Sequence, residues 1–283
     1  MTERTAAGGG WFEGLAPGDV KGASDAILRG EADAPRDWPT LAVESGAVDS
    51  EAEYYERLRA ATIRAARDEV RDRERADDRQ LLHAVRAMDD AERTANELAE
   101  RLAEWAGTLY DDAGVGVDGA RDVAARDPDT PVEARVVSLA ERVVDLADER
   151  DALRSFIETS APTVAPNLSE MAGPVLAARL VALAGGLGSL AKKPSGTVQV
   201  LGAEDALFAH LRGRGSSPKH GVIFTHEYVR GTHPEHRGSA ARAFAGKLSI
   251  AARVDHYGGD FRPELHEELR ARMAAIRSRE ADE

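Results

Sequence analysis

Apolar side chains recur along this chain at spacings of three and four, the period of an amphipathic helix. Leu81, Leu82, Val85 and Met88 mark one face, and Leu98, Leu102, Trp105 and Leu109 continue it. Alternation at period two, the mark of a half-buried strand, is scarce. The pattern predicts a mainly α-helical, elongated protein. Residues 51–115 read as a helical region with at most one break. Inside it, DEVRDRERADDR (68–79) is nearly all charged. That run reads as one solvated helix braced by i,i+4 ion pairs. Gly107 and Gly114-Val115-Gly116 end the region.

Residues 116–161 predict a helical hairpin. RDPDTP (126–131) is its turn, because two prolines and two aspartates stop one helix and start the next. Beyond it Val136, Leu139, Val143, Leu146, Leu153 and Ile157 follow a heptad, with Arg150 in one inward slot. A seam of this kind buries itself against a partner helix. That partner is either the preceding helix or a second copy of the chain.

Residues 162–265 form a further domain of shorter helices. Pro162 and Pro166 are expected to interrupt the hairpin's long helix, and Pro174 suits a first helical turn. Val175, Leu176, Leu180, Leu183, Leu187 and Leu190 make the next apolar side, weakened at Gly185-Gly186. Another helix opens at Gly202 and carries Leu207, Phe208 and Leu211. Pro234 is expected to start the last core helix, with Ala241, Phe244, Leu248 and Ala252 inward. Residues 1–50 lack periodicity and predict a partly ordered arm, with one short helix near 25–29. Residues 266–283 read as a charged, solvated tail.

Charge changes this picture. The chain carries 37 Lys+Arg against 50 Asp+Glu, a net of −13. Lysine is nearly replaced by arginine, a composition that resembles proteins of salt-accumulating archaea. Yet 170–265 holds 12 basic and 8 acidic residues, together with six of the eight histidines. A local positive site on an acidic chain points to a polyanionic partner. There is no cysteine. That removes disulfides and thiolate chemistry, and suits the cytoplasm. No apolar run is long enough to span a membrane.

Catalytic patterns are missing. There is no HExxH, GxGxxG or nucleophile-elbow sequence, and GGLGSLAKK (185–193) lacks the GK[ST] of a P-loop. His233-x-x-His236 fits a metal only loosely, so neither metal nor cofactor is expected. Lys192 and Lys193 suit a helix C-terminus. The candidate nucleic-acid residues are Gln199, Gly202, Ala203, Glu204, Arg212, Arg214, Lys219 and His220. Free N–H groups at a helix start can meet a phosphate. Arginine offers a forked donor pair, and phosphate contacts make binding salt-dependent. The plainer alternative is a solvated basic loop balancing acidic neighbours.

Three stretches occur in a telling order: AARLVALAGGLGSLAKKPSGTVQVLGAEDALFAHLR (177–212), PKHGVIFTHE (218–227) and GSAARAFAGKLSIAARVDHYGG (238–259). They resemble the Nop domain. Upstream, HAVRAMDDAERTANELAERLAEW (83–105) and TVAPNLSEMAGP (163–174) resemble the helices that lead into it. The similarity spans roughly 51–265 and is strongest to archaeal Nop proteins. It implies a non-catalytic scaffold that binds box C/D guide RNA with a kink-turn-binding protein. It also implies a homodimer through the coiled-coil hairpin, and recruitment of a fibrillarin-type methyltransferase that carries the S-adenosylmethionine. The outcome would be 2′-O-methylation of rRNA or tRNA. Two departures stand out: Asp205 replaces the lysine of the family's GAEK, and the family's N-terminal α/β domain is reduced to about fifty residues. The remaining alternatives are a structured-RNA binder outside methylation and a helical protein–protein adaptor.

Overall fold

A computed structural model describes residues 10–16, 18–30 and 34–278. Gly8 and Gly9 of the glycine run, and 279–283 of the expected tail, lie outside them. Among the described residues the regular elements are fourteen α-helices and one 3-10 turn, with no strand. The expectation of a mainly helical chain holds. No described helix is long and apolar enough to cross a membrane. The chain divides into two compact units, Met1–Ala76 and Asp77–Glu283.

The first unit contains α1 (Val20–Arg29), α2 (Trp38–Glu44) and α3 (Glu51–Arg75). Asp19, Asp37 and Ser50 cap them, each side chain accepting a backbone N–H three residues on. Glu53 reaches back to accept the Asp49 N–H at 2.7 Å. That hydrogen bond, with help from Arg57, holds its carboxyl below the usual carboxylate range. Phe12, Ala42, Val48 and Tyr54 are buried together, flanked by Trp11 and Trp38. The described part of 1–50 is thus more ordered than the arm expected from sequence. Its aromatics come from separate segments and converge on the first turn of α3, so no periodicity announces them. The charged run 68–79 also proves to be two helices. Ala76 is extended (φ −61°, ψ 145°) between Arg75 and α4.

In the second unit α4 (Asp77–Ala106) packs along α6 (Pro131–Val164), with α5 (Gly116–Ala124) against both. Thr130 caps α6 by accepting the Glu133 N–H, and Pro131 takes the first helical position. Alanines 91, 95, 99 and 106 are buried along α4. Such small side chains let two helices approach closely. The predicted seam is covered within the chain: Val136 and Val143 pack with Ala99, Leu102, Ala120 and Val123. Ile157 packs with Leu81, Leu82 and Met88. Leu139, Leu146 and Leu153 are half-buried. Pro162 does not interrupt α6. It lies two residues before the end, where its missing N–H removes a single intrahelical bond. Termination falls at Ala165, which precedes Pro166 and leaves the helical region (φ −143°, ψ 74°).

The rest of the unit is built on α13 (Arg237–Tyr257). Its Ala241, Phe244, Leu248 and Ala252 are buried, as the sequence predicts, among Leu168, Leu180, Leu190, Val198 and Ile223. Around it lie α7 (Pro166–Ala172), α8 (Pro174–Ala184), α9 (Leu187–Ala191), α10 (Ser195–Val200), α11 (Glu204–Leu211), α12 (Glu227–Arg230) and α14 (Pro263–Arg277). Gly185 takes a left-handed conformation (φ 85°) and ends α8 outright, rather than weakening one continuous helix. The start of α4 secures this break: Arg79 donates to the Gly185 carbonyl and Asp78 accepts the Leu187 N–H.

Two further expectations change. Pro234 sits in a turn, and the helix begins at Arg237. The expected solvated tail is a packed helix over its first part, because Leu269, Met273 and Ile276 of α14 are buried in the core. Their spacing of four and three is helical, hidden among many charged neighbours between 264 and 277. One buried polar network ties the start of α7 to the last turn of α13. The Asp255 carboxylate accepts the backbone N–H groups of Asn167 and Leu168 and the Asn167 amide. It serves α7 as an N-cap from 87–88 residues away, since α7 has no capping side chain of its own.

Candidate nucleic-acid interface

The site is a backbone crossing. After α10 the chain turns at Gly202 (φ 82°), enters α11 at Ala203 and Glu204, and returns as 219–222. The returning segment lies alongside 199–201. Gly221 donates to the Gln199 carbonyl at 2.8 Å and Val222 to the Leu201 carbonyl at 2.7 Å. The Gln199 amide donates to the Lys219 carbonyl at 2.7 Å. Only glycine fits at 221, where a Cβ would sit 2.0 Å from the Leu201 carbonyl oxygen. Glu204 accepts the Gly202 N–H at 2.9 Å, so its carboxylate supports the helix start.

His220 stacks on Phe224, with ring centroids 4.4 Å apart and planes at 17°. The Arg237 guanidinium lies 5.5 Å from the Phe224 centroid. Burial, with Arg237 and Lys219 nearby, pushes the His220 imidazole below its ordinary value. At neutral pH the ring is therefore uncharged and can both donate and accept.

Gln199, Gly202, Ala203, Glu204, Lys219 and His220 come together at this crossing. Arg212 and Arg214 do not join them. They follow the other end of α11, about 12 Å away along an eight-residue helix. There the Arg214 N–H bonds the Ala209 carbonyl, and His210 Nδ1 lies 3.0 Å from the Gly215 carbonyl. No residue of α11 is buried, and Phe208 and Leu211 are exposed beside the arginines. At the end of α9, where Lys192 and Lys193 were expected to serve the last carbonyls, Arg253 reaches in from α13. Its side chain donates to Ala191 and Lys193.

Sequence reasoning missed Phe224 and Arg237 as partners of His220. Phe224 reads as one of an apolar trio, and Arg237 is thirteen residues further on. It also missed Arg86, Arg93 and Arg179, which border a trough of about 710 Å³ beside Gly202, Gly221 and Phe224. Arg179 is ion-paired there with Asp89.

Fold and site together define a helical protein in which two long packed helices lead into shorter helices that present Gln199, Lys219 and His220 at a backbone crossing. The model for the Nop family, described as a snoRNA binding domain with fibrillarin, matches residues 118–275, and the chain belongs to that family. An uncharacterized NOP5 family protein of Methanocaldococcus jannaschii is 34% identical over 237 residues, covering 71% of this chain and 57% of the relative. Nucleolar protein 56 of Saccharomyces cerevisiae is 38% identical over 161 residues, 56% of this chain and 32% of that protein. The chain therefore spans about half or less of these relatives' lengths. Among solved structures, that of a fibrillarin/Nop5p complex aligns with a TM-score of 0.54 and 25% identity, over 94% of this chain and 98% of that one.

Proposed function

We propose that this chain is a non-catalytic scaffold of a box C/D ribonucleoprotein. It binds guide RNA together with a kink-turn-binding protein and recruits a fibrillarin-type methyltransferase for 2′-O-methylation. The observation that carries this reading is the backbone crossing at 199–204 and 219–224, which brings Gln199, Lys219 and His220 together inside the segment that matches a family described as snoRNA-binding. Lys219, Arg212 and Arg214 supply charge to phosphates. Gln199 and the neutral His220 supply hydrogen bonds to bases or backbone, and Gly202, Ala203 and Glu204 shape the turn. The fibrillarin-containing structure that aligns with the chain supports the enzyme partnership.

Self-association through the hairpin belongs to the same proposal. Because Val136, Val143 and Ile157 are covered within the chain, Leu139, Leu146 and Leu153 are the seam residues with surface left for a second copy. The proposed division is 1–50, 51–115, the hairpin at 116–161 and the Nop domain at 162–265, with α14 packed onto that last domain.

The test is reconstitution of box C/D RNA, kink-turn protein, fibrillarin and this chain, assayed for site-specific methyl transfer. Methylation that depends on the chain supports the scaffold role. RNA binding without methylation favours a Nop protein acting outside methylation, and absence of both favours a protein–protein adaptor.

A further inference from the structure

A second basic and aromatic surface lies away from the α10–α11 crossing. Ile250, Arg253 and Tyr257 share one face of α13, at spacings of three and four. All are exposed, Tyr257 at 68%. Helix α9 is packed beside this stretch. Arg253 donates to the carbonyls of Ala191 and Lys193, and the His256 ring lies against Gly188. Lys192 and Lys193 are thereby held next to the end of α13. His256 and Tyr257 are in edge contact, with centroids 4.6 Å apart. In the loop that follows, Phe261 is 53% exposed and Arg262 is exposed as well.

The charges here are available. Among the described residues no carboxylate pairs with Lys192, Lys193, Arg253 or Arg262, whereas Lys247 on the same helix is paired with Glu268. Asp255 is turned inward onto Asn167 and Leu168, and Asp78 is spent on the Leu187 N–H at the start of α9; Asp260 and Glu264 are further acids in the adjoining segment. Four cations without a carboxylate partner around exposed aromatics, on a chain of net charge −13, complement a polyanion that also has ring faces to offer. In a duplex those faces are covered by stacking; in a single strand they are free.

We propose that this α9–α13 surface is a second RNA contact, a stacking platform for an unpaired segment. Tyr257 and Phe261 receive bases, and Lys192, Lys193 and Arg262 follow the backbone, while Arg253 holds the end of α9 against α13. It rests on the reading that the chain engages RNA, but it involves none of the residues at the 199–224 crossing, so the two fail separately.

The test measures binding of a labelled oligouridine to the full chain across a salt series, with a blunt RNA duplex of equal length as competitor. The expected result is oligouridine binding that the duplex competes with poorly. Tyr257→Ala should weaken it about 5- to 160-fold, the range for removing one base–aromatic stack. Tyr257→Trp should restore it. Lys192→Ala with Lys193→Ala should lower the salt slope by about 0.7 for each phosphate left without its lysine. Tyr257 is exposed, so the variants keep the fold, and unchanged helical circular dichroism checks this. The proposal is overturned by unchanged affinity in Tyr257→Ala, by equal binding of the duplex, or by absence of oligouridine binding at low salt. Loss of binding in Lys219→Ala/Arg212→Ala but not in Tyr257→Ala would also overturn it. Failure of that double variant to affect a kink-turn complex would instead count against the crossing.

Discussion

Replacing Asp255 with alanine removes an acceptor that three donors share. Oδ1 takes the Asn167 N–H at 3.0 Å and the Asn167 amide at 2.6 Å, and Oδ2 takes the Leu168 N–H at 2.9 Å. The amide also donates to the Asp260 carbonyl, so it stays satisfied. The two backbone groups do not. Both belong to the first turn of α7, where no capping side chain stands in. Each orphaned buried N–H costs about 1–3 kcal/mol, so the pair costs about 4 kcal/mol. In a unit of this size 1 kcal/mol moves the midpoint by about 2–4 °C, giving a fall of about 8–16 °C. Asp255→Asn keeps one acceptor oxygen but turns its NH2 toward the Leu168 N–H, and should lie between wild type and alanine. Asp260→Ala, which alters only an exposed side chain beside the same network, is the control and should stay within about 0.5 kcal/mol. Scanning calorimetry and urea melts of the full chain read all three. A loss below about 1 kcal/mol in Asp255→Ala, or a loss matched by Asp260→Ala, would refute the remote-cap account.

His226 is pushed below its ordinary value chiefly by burial, and its ring packs on Tyr228 and Phe244. The unfolded chain takes up that proton near pH 6.5 while the native state resists it. Stability should therefore fall as pH drops below about 6.5, and His226→Gln should flatten the dependence in melts at about pH 7.5 and 5. Gly221→Ala should cost about 1–3 kcal/mol, because its Cβ would collide with the Leu201 carbonyl; a neutral urea midpoint would mean the crossing is loose. Leu269→Ala should cost about 2–5 kcal/mol by the same assay, a penalty foreign to a solvated tail. Lys219→Ala with Arg212→Ala should weaken binding to a kink-turn RNA–protein complex and lower its salt slope by up to about 2. Unchanged binding at matched salt would remove both from the interface.

Much of the fold was legible because helices announce themselves through spacing. The face at 81–88 and the inward set on α13 need only a period of about 3.6. The expected continuation at 98–109 holds only in part: Leu102 is buried, Trp105 is exposed, and Leu109 is exposed beyond the end of α4 at Ala106, where alanines at 91, 95, 99 and 106 line the packed face instead. What stayed hidden depends on contacts distant in sequence. The cap on α7 comes from α13, and the pocket for Phe12 is made by Ala42, Val48 and Tyr54. The apolar stripe of α14 is three residues among many charges, too sparse to stand out. At the site, glycines and basic residues were visible as composition, but the pairing of 199–201 with 219–222 is a matter of backbone geometry. The sequence places Arg212 and Lys219 in one candidate set, whereas the structure puts Lys219 at the crossing and Arg212 at the far end of α11.

The close fit of α4 onto α6 through alanines has a consequence for distance. Thirty residues of helix at 1.5 Å each make α4 about 45 Å long. Shallow side chains leave little slack between the pair, so α4 and α6 together behave as a ruler. Its length is written in residue number and is conveyed to whatever sits at its two ends. Removing one heptad from each arm would leave every surface chemically intact and bring those ends about 10 Å closer. For an assembly that must act at a defined position, spacing of that kind is information in its own right.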